Sequence, residues 1–540
     1  AFIPVNSKMK KRKRQQHRIK NSTNLFNVTG IGENQNANDS INDLLNELGN
    51  GNTKTIENPK ISSSNATTTT NSNNNNDNNN NGTEKQQEED VVFSFWDFSN
   101  NDVKRDKNEV LEWNDALKRW IKKGKYTKGL LPNIDLELAR HFQVEKISTL
   151  LLESVTDLRM PTFERWLIDS KLEEEKCVDV VIPNANETSG ASQRLLDELR
   201  SSSNLINSDD AQKILHDLCH NSATAIQELS ILKRRTIQKC PFQKGDRIHL
   251  EDREDGRTQA LLLHRKSWKK PYCIKINKVH YNKLKTMFEA VHDDSFVTNK
   301  KAIHAFHLIV LCLSLRYSSL SGGQLLNHLR GGGMQGAIHP HVFQTLRRHF
   351  ECRPFIEAFA SPLNAYHLQF CSVFPCLDWH FGSIGNFFEQ KSFKRGCYEV
   401  NPPFSPGLMM KMAKALQKHI LKANKNDNSL VFVVIVPSVS DTAEGPKAFA
   451  KTSFDLLYEL SSGQEILLKS RNHGYVEGSQ HLRPTRYKES SYDTSVFIIQ
   501  SKKAAAERKN NFIEQVEEGI REAFRNRDVE ELNERRRITS

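Results

Sequence analysis

Eight consecutive residues at 430–437, LVFVVIVP, are apolar without a break. A strand that faces water on one side alternates polar and apolar residues, so a run this uniform belongs to a strand covered on both faces. The amphipathic segments 407–423 and 447–460 that flank it are helices suited to that cover. Short apolar runs at 355–360, 397–400, 465–469 and 495–500 read as further strands, and 364–374 as a third helix. Strands alternating with helices predict crossover units feeding a largely parallel sheet from about residue 301 onward. In that sheet the run 430–437 should lie next to the strand 397–400.

The chain ahead of this sheet reads differently. Apolar residues fall at helical spacing in 110–122, 136–155 and 209–234, which predicts a mostly helical domain over 90–300 with a loop near 183–193. Residues 21–89 are dominated by Asn, Ser, Thr and Asp and offer too little apolar surface to offset the entropy of ordering, so 1–89 is expected to be a disordered leader. The sheet-forming domain should occupy 301–502. Over 503–540, Phe512, Val516, Ile520 and Phe524 recur at helical spacing and predict an amphipathic helix, whether packed on the domain, paired with a partner or standing free. The sequence begins with Ala1, which leaves the natural start of the protein open.

Lysine and arginine total 77 against 65 acidic residues, a formal net charge of +12. That balance favours an anionic partner such as nucleic acid, although solvated basic faces would give the same count. The cluster Lys8, Lys10, Lys11, Arg12, Lys13, Arg14 has the pattern of a nuclear import signal. The stretch 239–281 interleaves basic residues with aromatics, Arg265 beside Trp268 among them. It is equally a surface for RNA phosphates and bases or a solvated face over a core. Nine scattered cysteines with no CxxC pair fit a reducing compartment, and no metal is expected. No apolar run approaches the roughly 20 residues that cross a bilayer, so no membrane partner is expected.

Asn401, Pro402, Pro403 and Phe404 directly follow the strand-like GCYEV and precede a helix. In open α/β sheets, ligands bind at the carboxyl ends of strands. The exocyclic amine of adenine is a weak nucleophile because its lone pair is delocalised into the ring. Two acceptors against its two N–H bonds favour the tetrahedral geometry needed for in-line attack on a methyl sulfonium. The Asn401 amide oxygen and the Pro402 carbonyl can supply them. Prolines stiffen the loop and donate nothing from the backbone, and Phe404 can stack on a flipped base. A plain turn after a strand would also use Asn and Pro.

The blocks RYSSL (with Arg316 and Tyr317), GMQGAI, ECRPFIEAFASPLNAY, FGSIG, NPPF, YVEGSQHL and TSVFIIQ stand in this order between 308 and 500. With them the chain resembles the cap-specific adenosine N6-methyltransferases, also called phosphorylated CTD-interacting factors, and is expected to lack their WW module. The resemblance implies an α/β Rossmann-like class I methyltransferase domain preceded by a mostly α-helical domain. It implies methylation at N6 of the first transcribed (2′-O-methyl)adenosine beside the 7-methylguanosine cap of mRNA, with S-adenosyl-L-methionine as the methyl donor.

Carried over, Asn401, Pro402, Pro403 and Phe404 are the catalytic loop. Ala360, Ser361, Pro362 and Asn364 are expected to meet the methionine end of the cofactor at a helix amino terminus. Asp378 is expected at the ribose, with Phe381 also assigned to the cofactor, although Asp378 equally suits a turn. Arg265, Arg316, Gly478, Ser479, Gln480 and His481 are assigned to the RNA. Because the chain shows no pair of tryptophans around short strands before Val91, the phosphorylated polymerase II tail is a doubtful partner. The competing readings are an N6-adenine methyltransferase of DNA or internal RNA, and a noncatalytic nuclear RNA-binding protein that keeps the fold.

Overall fold

The computed structural model describes residues 132–525, apart from 156–157, 203–207, 237–245, 257, 267, 293–299, 324–332, 351–353, 392, 394, 440–445, 478–486 and 509–511. The leader, the basic cluster at Lys8–Arg14 and the candidate helix 110–122 lie outside the described residues.

Four helices come first: α1 (Ile134–Ser154), α2 (Met160–Glu173), α3 (Gly190–Ser202) and α4 (Ser208–Thr236). α1 begins where it does because the Asn133 side chain accepts from the Asp135 and Leu136 amides, at 3.0 and 3.2 Å. Asp135 and Glu137 also set negative charge at the positive end of its dipole. The basic stretch then departs from the expectation. It folds as an antiparallel meander of β1 (Arg247–Asp252), β2 (Thr258–His264) and β3 (Tyr272–Asn277), in that spatial order. Trp268 and Tyr272 pack partly buried against the helical core instead of standing out for bases.

α5 (Lys278–His292) and α6 (Lys300–Leu320) follow. Part of α6, Ile303–Leu320, is apolar enough by length and composition to cross a membrane, contrary to the sequence reading, yet 89% of it is buried within the protein. It is a core helix.

The chain continues through β4 (Gly336–Ala337), α7 (Pro340–Phe350), β5 (Phe355–Glu357), α8 (Pro375–Asp378), β6 (Gly396–Val400), α9 (Pro406–Lys425), β7 (Leu430–Pro437), α10 (Pro446–Leu460), β8 (Ile466–Leu468), β9 (Gly474–Glu477), β10 (Tyr487–Glu489), β11 (Thr494–Gln500), α11 (Lys502–Ala506) and α12 (Phe512–Phe524). The main sheet has the order β5-β6-β7-β11-β8. β5, β6 and β7 pair in parallel, and β11 runs antiparallel to both β7 and β8. Parallel bridges from Glu357 to Phe370 and from Phe370 to Ser383 extend it beyond β5. Segment 364–374 is therefore not the helix its composition suggested. Its first turn is taken by the Glu357 carboxylate, which accepts from the Tyr366 and His367 amides, and Phe370 is drawn out beside β5.

β7 shows why its sequence is uniform. Leu430, Phe432, Val434 and Val436 enter a core shared with α9 and α10, while Val431, Val433 and Ile435 enter a second core with α7 and α12. After β5 the chain moves outward through Phe370 and Ser383, then returns to the other side of β5 as β6. The order reverses between β5 and β6, so the loops after these two strands diverge around the crevice where α/β sheets bind ligands.

Candidate functional site

Those two loops are 358–364 and 401–405, and a third segment straps them together. Ser361 Oγ donates to Gln335 Oε1 at 3.0 Å, and Asn364 Nδ2 to the Gln335 carbonyl at 3.2 Å. Asn401 Nδ2 donates to the Gly336 carbonyl at 3.2 Å. Gln335 and Gly336 thus link both loops through one short turn and β4. Their block, GMQGAI, has no role legible in the sequence, because the two strand ends it joins come together only in the fold.

At the corner itself, Asn401 is 8% exposed and Pro402 is buried, while Pro403 and Phe404 are half-buried. The Pro403 carbonyl accepts from the Ser405 amide at 2.9 Å. Among the described residues, the Asn401 amide oxygen and the Pro402 carbonyl accept nothing. Within the described residues, the two acceptors proposed from sequence are thus available to a ligand. Phe404 meets Tyr475 and Tyr492 edge to face, with ring centroids 6.4 and 5.8 Å apart. The Tyr475 and Thr494 hydroxyls lie 2.8 Å apart, which fixes that ring. Neither tyrosine was foreseen as part of the site.

The exit from the corner is held from far upstream. Asp169, on α2, bonds the Ser405 hydroxyl and accepts from the Gly407 amide at 3.0 Å and the Leu408 amide at 3.2 Å. Arg194 pairs with it at 3.1 Å. Its carboxylate thereby caps the amino terminus of α9, where the helix dipole favours negative charge.

Below the corner, Glu357 and Glu399 occupy register-matched positions on β5 and β6 and are 2% exposed each. Burial raises the pKa of both. Glu357 is the better carboxylate because it accepts two backbone amides, so Glu399 is the one that holds a proton at neutral pH.

Several sequence assignments need correction. Ala360, Ser361, Pro362 and Asn364 do sit at the switch point, but no helix starts there. The Ala360 amide is bonded to the Cys371 carbonyl and the Ser361 amide to Asn364 Oδ1, so these N–H groups are not open to an anion. Asp378 is fully buried and accepts from the Tyr317 hydroxyl at 2.6 Å, and burial pushes its pKa up to about 7. Phe381 is fully buried against Phe288. Both are core residues.

Arg316 joins a buried network: its Nε donates to Glu137 at 3.1 Å, Glu137 also pairs with Arg140 at 2.5 Å, and Arg140 with Asp179 at 2.9 Å. Arg265 pairs with Asp135 at 2.7 Å and lies over the Trp268 ring. Both arginines are spent inside the fold rather than offered to RNA. Gly478, Ser479, Gln480 and His481 lie outside the described residues. No disulfide links the seven described cysteines.

Residues 283–478 match the family profile described as the phosphorylated CTD interacting factor 1 WW domain. A stretch of 231 residues is 31% identical to the mRNA (2'-O-methyladenosine-N(6)-)-methyltransferase of Mus musculus and 30% identical to the protein of the same name from Homo sapiens. Each alignment covers 42% of this chain and 30% of the relative, so the chain spans less than a third of the length of the relatives it matches. These matches bear out the resemblance read from the sequence. They also temper its doubt about a WW module, because the matching profile carries that module in its description. The matched segment itself holds one tryptophan, Trp379, and runs from α5 to the residue after β9.

Proposed function

We propose that this chain methylates N6 of adenosine in RNA, at the (2′-O-methyl)adenosine beside the 7-methylguanosine cap, using S-adenosyl-L-methionine. The fold is then a Rossmann-like class I methyltransferase domain behind a mostly helical one, and the protein works in the nucleus. The observation that carries the reading is a pair of acceptors without a partner among the described residues, Asn401 Oδ1 and the Pro402 carbonyl, at a topological switch point beside the Phe404, Tyr475 and Tyr492 rings. The names of the mouse and human relatives support the same chemistry and the same substrate.

The residues around the switch point fit the methyl donor, a cation that carries an adenosine and an amino acid. Buried carboxyls lie beneath it at Glu357 and Glu399, and the half-buried rings of Phe359 and Phe388 stand edge to face at 5.7 Å beside the first loop. Phe359 and Phe388 would border it, and when bound it supplies an electrophilic methyl on sulfur. The chain's own part is positional. Asn401 and Pro402 each accept one N–H of the target amine and turn its lone pair out of the ring, Pro403 keeps the loop rigid, and Phe404 holds the base flat. The surplus proton leaves to water once the amine has become cationic.

Asn401→Ala tests the assignment. Loss of one positioned acceptor should lower methyl transfer to a capped, adenosine-initiated RNA by about 100-fold or more with an unchanged circular dichroism spectrum. Full activity in the folded variant would remove Asn401 from the mechanism. Uncapped RNA and duplex DNA test the substrate: equal transfer to either would replace the cap with a broader adenine specificity. The phosphorylated polymerase tail is proposed as a partner on the profile match, to be tested by titrating the full chain with a phosphorylated heptad peptide.

A further inference from the structure

We infer that the exposed face of α9 is a track for the phosphate backbone of single-stranded RNA, leading away from the catalytic corner. This rests on the reading that the corner takes an adenosine within RNA.

α9 begins two residues after Phe404, and its 20 residues include Lys411, Lys414, Lys418, Lys422 and Lys425 but no Asp or Glu. All five lysines are exposed, while Met409, Met412, Leu416 and Ile420 turn inward to the sheet. Residues three and four apart are neighbours on a helix, so the five form one unbroken row in which each charge faces another across a single turn. Like charges at that spacing weaken a helix.

Two other amphipathic helices of this protein avoid the penalty in the usual way. α10 pairs Lys451 with Asp455 at 2.7 Å, and α12 pairs Arg521 with Glu517 at 2.7 Å. Among the described residues, none of the five lysines of α9 meets a carboxylate. Lys411 lies over the Phe388 ring at 4.9 Å, and Lys422 donates to the Lys391 carbonyl at 3.2 Å, which brings a further lysine to the row. Asp427, just past the end of the helix, is paired with Lys503 at 3.0 Å.

The row also starts in the right place. Phe388, under Lys411, stands against Phe359 in the first loop of the site, so the first lysine borders the crevice and the rest extend from it. Along the helix axis the lysines are about 4.5–6 Å apart, a spacing that lets successive ammonium groups meet successive phosphates of an extended strand. A base-reading surface would need aromatic or amide groups repeated between the charges; this face has Gln417 midway, Asn424 taken by the Lys502 amide, and the Phe388 ring only at the Lys411 end, so it is suited to backbone more than to bases.

The test uses the full chain and two capped, adenosine-initiated RNAs, one of about 4 nucleotides and one of about 20, with Lys414, Lys418 and Lys422 all changed to Gln. Each lost phosphate contact lowers the salt dependence of single-strand binding by about 0.7, so the slope for the long RNA should fall by about 2 and its KM rise roughly tenfold. The advantage of the long RNA over the short one should disappear, and the matching Lys→Arg triple should restore it. Removing like-charge neighbours from an exposed helix face should leave the melting temperature unchanged or raised, which separates the effect from unfolding.

An unchanged length advantage and salt slope would overturn the track, as would an equal loss on both RNAs. If the wild-type chain methylates neither RNA, the proposed function fails. Anisotropy binding of the long RNA then still decides the track, since equal affinity and slope in wild type and variant would overturn it.

Discussion

Asp169 stands 236 residues before Ser405, yet it shapes the turn that carries the candidate acceptors. Proline at the start of α9 offers no amide, and the Ser405 hydroxyl reaches only the Leu408 amide at 3.4 Å, so the Asp169 carboxylate does most of the capping. Gly407 is what lets it approach: a Cβ there would lie 2.6 Å from Asp169 Oδ1. Loss of a cap costs about 1–2 kcal/mol, and a small displacement of reacting groups costs up to about 100-fold in rate. Asp169→Ala should therefore lower kcat for RNA methylation by roughly 10- to 100-fold while moving the RNA KM much less. Asp169→Asn should retain part of the activity, because its amide oxygen can still accept. Gly407→Ala should act in the same direction from the other side of the contact. Steady-state kinetics beside a thermal melt check this, and a folded Asp169→Ala protein with wild-type kcat would reduce Asp169 to a structural cap.

Among the elements, those that sequence revealed are the ones whose pattern is set by their own burial. β7 is apolar on both faces because helices cover both, and α9, α10 and α12 show one apolar stripe each because each lies on a core. The candidate corner was legible for the same reason, since a strand, an Asn-Pro-Pro-Phe turn and a capped helix are all local. What stayed hidden depends on partners distant in the chain. β4, β9 and β10 are two to four residues long and exist only as each other's partners. The meander β1–β3 was masked by its charges, and 364–374 lost its helix to a carboxylate on β5. The Gln335 strap and the Asp169 cap leave no periodic trace at all. α12 provides a test at this scale. Val516, Ile520 and Phe524 are buried against α7, and Gly519 permits the close approach, since a Cβ there would sit 2.6 Å from His349 Nε2. Ile520→Ala should cost about 2–4 kcal/mol in urea unfolding. A loss below about 0.5 kcal/mol, the range of ordinary surface substitutions, would mean that the helix is detached in solution.

Over the whole molecule, buried titratable groups set how stability responds to acid. Burial lowers the pKa of His141, His292, His307 and His419 to about 4 and of His367 to about 3, and holds His380 well below the usual value. Unfolded, each takes its proton near pH 6.5. Between about pH 6.5 and 4 the unfolded chain binds more protons at these six positions, so their contribution is full above 6.5 and is lost as the pH falls toward 4. Glu357 and Asp378, raised to about 7, and Glu399, raised further, act with the opposite sign. The folded state binds more protons at these three carboxyls, so they cost stability as the pH rises through about 4 to 7. Four further histidines, His264, His304, His349 and His473, are also lowered, against one further raised carboxyl, Asp135, so the histidines prevail. The melting temperature should fall between pH 6.5 and 5, steepening at lower pH as Asp179, held at about 2 by Arg140, loses its ion pair. A melting temperature that stays level or rises over that interval would show that the buried histidines are protonated without unfolding. His141 isolates the cause, because it is fully buried and neither ring nitrogen has a hydrogen-bond partner. His141→Leu removes a group that is compelled to stay neutral, so it should gain stability over wild type at pH 5 relative to pH 7.5; an equal change at both pH values would clear His141 of any part in the acid response.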